Sequence, residues 1–114
     1  MGSEMCIRDS PIVQRALLLM QQNIDTPISV QDIAKRMGKS KRQIERHFRM
    51  ALDTSPQAAY LNMRLDISKY LIEKTEKSIA QIAVGCGFCD SSHLSRMFRR
   101  RYGITPRSAR SQSE

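Results

Sequence analysis

Two sets of side chains in this sequence have the types and spacing to do chemistry. Arg42, Glu45, Arg46 and Arg49 stand at i, i+3, i+4 and i+7, and Ser92, Ser95, Arg96 and Arg99 repeat that spacing 50 residues later. On a helix turning by about 100° per residue each set forms one stripe. Guanidinium groups on such a stripe can hydrogen-bond base edges and phosphate oxygens. The second set is Cys86-Gly-Phe-Cys89 with His93, a spacing that admits thiol–disulfide exchange or metal ligation. There is no Ser-His-Asp arrangement with supporting motifs, no glycine-rich phosphate loop and no pair of carboxylates in an apolar setting, so an enzyme is not expected.

The charge balance favours the first set. Nineteen Lys and Arg against eleven Asp and Glu give a formal charge of +8, and nucleic acid is the commonest polyanion such a surface meets. The Cys-x-x-Cys pair lacks the βα context of a redox motif. A zinc site would want a fourth ligand, and Cys6 and His47 lie in other parts of the chain. A thiol-redox or metal-binding protein using Cys86, Cys89 and His93 is therefore the alternative, and a basic stripe docking an acidic protein is a third. An odd count of three cysteines does not make a disulfide framework, which points to the reducing cytoplasm. No apolar run approaches the roughly 18–20 residues that span a bilayer, and no signal sequence is visible. Neither membrane nor cofactor is expected.

The stripes must be positioned by helices, and their starts are written in the sequence. Ser40-Lys-Arg-Gln43 and Ser78-Ile-Ala-Gln81 are capping boxes, and Ser29-Val-Gln-Asp32 is a near relative. Ser10-Pro11, Ser55-Pro56 and Thr105-Pro106 set a hydroxyl before a proline suited to the first turn. With Asp90 these mark seven helix starts, the first helix running to near Asn23, and no segment alternates as a strand would. The fold class is all-α.

An internal repeat organises these helices. Ser29, Ile33, Ala34 and Gly38 match Ser78, Ile82, Ala83 and Gly87 at a separation of 49, and Cys86 thereby matches Met37. Ile44, Arg46, Phe48, Arg49 and Pro56 match Leu94, Arg96, Phe98, Arg99 and Pro106 at a separation of 50. The added residue falls in the turn, where insertions are tolerated. Each unit is a short helix, a glycine turn and a longer helix, which is a helix-turn-helix. Ile44 and Phe48, like Leu94 and Phe98, face away from the stripe, which suits a major groove. The helix N-termini, with Ser40 and Ser91, suit phosphates. Pro56 to Lys74 reads as a linker helix about 28 Å long, against about 34 Å for one turn of DNA.

The phrase Ile79-Ala-Gln-Ile-Ala-Val-Gly-Cys-Gly-Phe88, then Ser92-His-Leu-Ser-Arg-Met-Phe98 and Tyr102-Gly-Ile-Thr-Pro106, resembles the DNA-binding domain of AraC/XylS-family transcription regulators. The resemblance covers about Pro11 to Arg110. It implies a seven-helix, homeodomain-like domain that binds double-stranded DNA through two helix-turn-helix modules. By motif position it implies base reading by Arg42, Glu45 and Arg46 in the first unit and by Ser92, His93 and Arg96 in the second. It also implies phosphate contacts by Ser40, Lys41, Arg49 and Ser91, to which the charge run at the end of the second recognition helix adds Arg99 and Arg100. Ser40 to Phe48 together with Cys86-Gly-Phe88 resembles members fused to a class I amidotransferase-like domain, which often control amino-acid or quaternary-amine metabolism.

Two positions stay open at this level. Glu45 can organise its neighbouring arginines or accept from a cytosine amino group, and His93 can face DNA or the core. The expected divisions are a leader or cloning-derived, disordered segment over 1–10, a first helix-turn-helix subdomain over 11–54, a linker helix over 55–75 and a second subdomain over 76–114. A fused or lost effector-sensing domain is expected, with RNA polymerase as a candidate partner and the isolated domain monomeric.

Overall fold

The computed structural model describes residues 10–113, so the expected leader falls, apart from Ser10, outside the described residues. Among the described residues there are seven helices and no strand: α1 (Pro11–Gln21), α2 (Val30–Met37), α3 (Lys41–Leu52), α4 (Pro56–Lys74), α5 (Ile79–Gly85), α6 (Ser91–Tyr102) and α7 (Pro106–Ser113). Every start has the cap the sequence calls for. Ser10, Ser29, Ser40, Ser78 and Asp90 each accept a backbone N–H three residues on. Ser55 and Thr105 do the same for Ala58 and Ser108 at 3.1 Å. The glutamines of both capping boxes return the bond, Gln43 to Ser40 N–H at 2.9 Å and Gln81 to Ser78 N–H at 3.0 Å. Each such cap satisfies amides that a helix start would otherwise leave orphaned, worth about 1 kcal/mol.

The first helix stops at Gln21, short of Asn23. The side-chain amide of Asn23 donates to Leu19 O at 2.8 Å, so Asn23 closes the helix from outside by taking one of its last carbonyls. Its own carbonyl accepts from the Tyr60 hydroxyl, which also accepts from Ile28 N–H at 3.2 Å. One buried phenol on α4 thus pins both ends of the loop between α1 and α2.

The chain divides into two compact units. Among the described residues one comprises 10–23 together with Pro27–Leu61, the other Ile24–Thr26 and 62–113. In the first, α1, α2 and α3 pack on one another around Val13, Ala16, Met20, Ile33, Ala34, Ile44 and Phe48, all at most 1% exposed. In the second, α6 packs on α5 and α7, and the core is Leu65, Ile72, Ile82, Ala83, Leu94, Phe98 and Ala109. Burying a side chain such as Phe48 or Phe98 is worth about 1.5–3 kcal/mol.

The repeat is reproduced bond by bond at the turns. Lys39 N–H reaches Ala34 O and Phe88 N–H reaches Ala83 O, both at 2.9 Å, while Gly38 and Gly87 each bond three residues back at 3.1 Å. This is the Schellman closure, which needs a left-handed residue, and Gly38 and Gly87 supply it with φ of 68° and 85°. The small Ala34 and Ala83 are buried, where they let the next helix approach.

Candidate nucleic-acid interface

Each recognition helix is amphipathic in the sense its stripe requires. On α3 only Ile44 and Phe48 are buried, while Lys41, Arg42, Arg46 and Arg49 are exposed. On α6 only Leu94 and Phe98 are buried, while Ser92, Arg96, Arg99 and Arg100 are exposed. Two inward hydrophobic anchors four residues apart therefore hold each helix, and the guanidinium side faces outward in both.

The arginines of α3 are held by no carboxylate among the described residues, where the ion pairs include Lys69–Glu73 and Arg101–Asp66. Glu45 is half-buried, and its carboxylate accepts from the Gln57 side-chain amide at 3.5 Å on the neighbouring α4. That contact is long and weak. The Glu45 carboxylate thus lies beside α4, with no ion pair to Arg42 or Arg49 among the described residues.

The two helix N-termini differ. Ser40 caps α3, accepting from Gln43 N–H at 3.1 Å, and a neutral hydroxyl there keeps the positive end of the helix open to an anion. The corresponding residue of α6 is Asp90, whose carboxylate accepts from His93 N–H at 2.8 Å. Ser91 is the first helical residue, half-buried. The chain's own carboxylate thus already occupies the positive end of α6.

His93 has a defined environment that spacing alone did not give. Its ring meets Phe88 edge-on, with centroids 5.3 Å apart, and its Nδ1 accepts from Cys89 N–H at 3.3 Å. The residue is half-buried. An Nδ1 that accepts leaves the neutral ring its proton on Nε2, a donor.

The charge run at the end of α6 separates. Arg99 and Arg100 are exposed. Arg101 instead makes a two-point contact with Asp66 of α4 at 3.1 and 3.2 Å, and the Tyr102 hydroxyl donates to the same carboxylate. Burial, reinforced by the bond to Asp66, pushes the Tyr102 phenol up to about 12. Arg64 and Arg110, which no motif singled out, bind backbone carbonyls: Arg64 those of Cys86 and Gly87, Arg110 those of Ile72, Thr75 and Lys77. Their partners lie 22 to 38 residues away, beyond the reach of periodicity or cap grammar.

The thiol alternative gains no support from the geometry. Cys86 is 1% exposed, and burial pushes its thiol up, against the partial lowering by Arg64 and Lys77. A redox thiol needs the opposite shift. Cys89 is exposed, both are free thiols, and no group of three or more His, Cys, Asp or Glu suited to a metal occurs among the described residues. No helix among them is long and apolar enough to cross a membrane.

Comparison with known proteins agrees with this geometry. Residues 14–112 match the family model described as a helix-turn-helix domain. The chain is 39% identical over 102 residues to the HTH-type transcriptional regulator ArgR of Pseudomonas aeruginosa, covering 90% of this chain and 31% of that protein. It is 36% identical over 102 residues to the HTH-type transcriptional regulator GbdR of the same species, covering 90% of this chain and 28% of that one. A crystal structure of an AraC-type DNA-binding domain-containing transcriptional regulator from Chromobacterium violaceum superposes with a TM-score of 0.86 at 43% identity, covering 90% of this chain and 92% of that one. The chain thus spans under a third of the length of these two regulators from P. aeruginosa.

Proposed function

This chain belongs to the helix-turn-helix DNA-binding domains of AraC-type transcription regulators, and on that footing we propose which of its residues read DNA and how. It is a DNA-binding regulatory domain rather than an enzyme. Helices α3 and α6 enter successive segments of the major groove. Arg42, Glu45 and Arg46 read base edges from the first unit, and Ser92, His93 and Arg96 from the second. Lys41, Arg49, Arg99 and Arg100, with the hydroxyls of Ser40 and Ser91, hold phosphates.

The observation that carries this reading is one arrangement occurring twice. A capped helix with two buried anchors presents an exposed arginine, Arg46 in one unit and Arg96 in the other, opposite those anchors. Arginine in that place forms two-point contacts with guanine O6 and N7, while the neighbouring cations release counterions from the backbone. Helix α4 runs unbroken for 19 residues, Pro56–Lys74.

In this reading the chain is the DNA-binding part of a longer cytoplasmic regulator whose effector-sensing part and contacts with RNA polymerase lie with the rest. As an isolated domain it binds as a monomer. The experiment is selection of bound duplexes from a random pool. Two enriched clusters about one helical turn apart are expected. Binding with steep salt dependence and no enriched sequence would defeat the base-reading assignment.

A further inference from the structure

The second recognition helix is tied to α4 by a chain of contacts that passes through one arginine. Arg64 donates from Nε to Cys86 O at 2.9 Å and from a terminal nitrogen to Gly87 O at 2.7 Å. These carbonyls belong to the end of α5 and its turn, where helix geometry leaves acceptors unmet and the dipole favours a cation. The same guanidinium lies over the Phe88 ring, 4.5 Å from its centroid, and Phe88 is 4% exposed. The same ring meets His93 edge-on, 5.3 Å away. His93 in turn accepts the amide of Cys89 through Nδ1.

We propose that Arg64 is a positioning residue for base reading by the second unit. Held on α4, it sets the turn before α6 and, through Phe88, the place and tautomer of His93. The proposal rests on the base-reading role assigned to α6 above. A planar fork suits it, because two carbonyls one residue apart and an aromatic face must be met at once. With Nδ1 engaged, Nε2–H is the remaining donor, which fits the acceptor edges of guanine or thymine in the major groove.

The first unit repeats neither of these two rings. Lys39 stands where Phe88 stands in the repeat, and Gln43 stands where His93 does. Gln43 spends its carbonyl oxygen on the Ser40 amide of its own helix start. Loss of Arg64 therefore acts on one half of the DNA site, which distinguishes positioning from general support of the fold.

The test uses the selected duplex and two versions scrambled under one cluster each, with the clusters assigned to units by Arg46→Ala and Arg96→Ala. Arg64→Met is expected to lose about tenfold of the discrimination at the cluster read by α6, with the other cluster read as before. In nitrogen NMR of the imidazoles, His93 is expected to move from the Nε2–H form toward a mixture of tautomers. A folded Arg64→Met with both clusters and the tautomer unchanged overturns the proposal. If that variant does not fold, Arg64→Lys decides, since it keeps the charge but not the fork. It should show a smaller loss confined to the same cluster, and wild-type behaviour from it overturns the proposal. If the wild type discriminates no sequence, the base-reading assignment fails instead, and the His93 tautomer alone decides the role of Arg64.

Discussion

Asp53 and Gly103 occupy the same place in the two units, each closing a recognition helix in the left-handed region, with φ of 55° and 80° and the cap N–H bonded four residues back to Arg49 or Arg99. Only one of the two has a side chain that must tolerate that backbone. Asp53 is the one described non-glycine residue with positive φ. Such a residue costs about 1 kcal/mol, although a short polar side chain relieves part of it.

Asp53→Gly is therefore expected to stabilise the domain by about 0.5–1 kcal/mol, and Gly103→Ala to destabilise it by about 1 kcal/mol. A Cβ on Gly103 would meet nothing within 4 Å, so the cost is backbone strain alone. Urea denaturation of both variants checks this. A neutral Gly103→Ala would show that α6 can end without the left-handed residue.

Arg96 and Arg100 test the two proposed kinds of contact. Arg96→Ala should cost about 1–3 kcal/mol on the selected site and relax preference at one position. Arg100→Ala should weaken binding on all duplexes alike and reduce the salt slope by about one unit. Salt-dependent affinities on selected and unrelated duplexes read both. Equal loss by Arg96→Ala on every sequence would remove it from base reading.

Tyr102 makes the domain sensitive to alkali. Its folded pKa is raised to about 12 from an ordinary value near 10, so the neutral phenol is the form that the fold favours. The resulting stability is complete below about pH 10 and disappears as pH rises through about 12. Unfolding free energies across that window should fall more steeply for wild type than for Tyr102→Phe, and identical slopes would show that the Asp66–Tyr102 contact does not hold in solution.

The two cysteines should part in reactivity. In a Cys6→Ser background, Cys89 is expected to react with a thiol reagent at the rate of an exposed thiol. Cys86, buried with its pKa raised, should react only at the pace of local opening. Disulfide exchange by the pair at neutral pH would revive the redox reading. Cys86→Ser/Cys89→Ser should keep affinity for the selected duplex.

What could be read in the sequence was what is locally encoded. Caps reach three residues, amphipathic faces repeat every three or four, and the duplication doubled each signal. The helix starts at Ser29, Ser40 and Ser78 and the buried pairs Ile44–Phe48 and Leu94–Phe98 were therefore legible. The two-unit layout followed from the same repeat. Contacts set by tertiary approach were not. Nothing in the run Arg99-Arg-Arg101 marks the third arginine for Asp66, 35 residues earlier. Nor does the position of His93 reveal that Phe88 and the Cys89 amide hold its ring, because those contacts depend on how the second turn closes. At Glu45 spacing left pairing and base contact open, and the half-buried position beside Gln57 arises from the approach of α4.

The extra residue of the second unit lies between Gly87 and Asp90, ahead of the residue from which α6 takes its cap. Azimuth along a helix is counted from its start, so a residue gained there leaves Ser92, Arg96 and Arg99 pointing as before. The same gain inside α6 would swing every side chain beyond it by about 100°. Turn length can thus drift between duplicated copies without altering which side chains each copy turns outward, whereas a single insertion or deletion past Asp90 would rotate part of that outward face into the core.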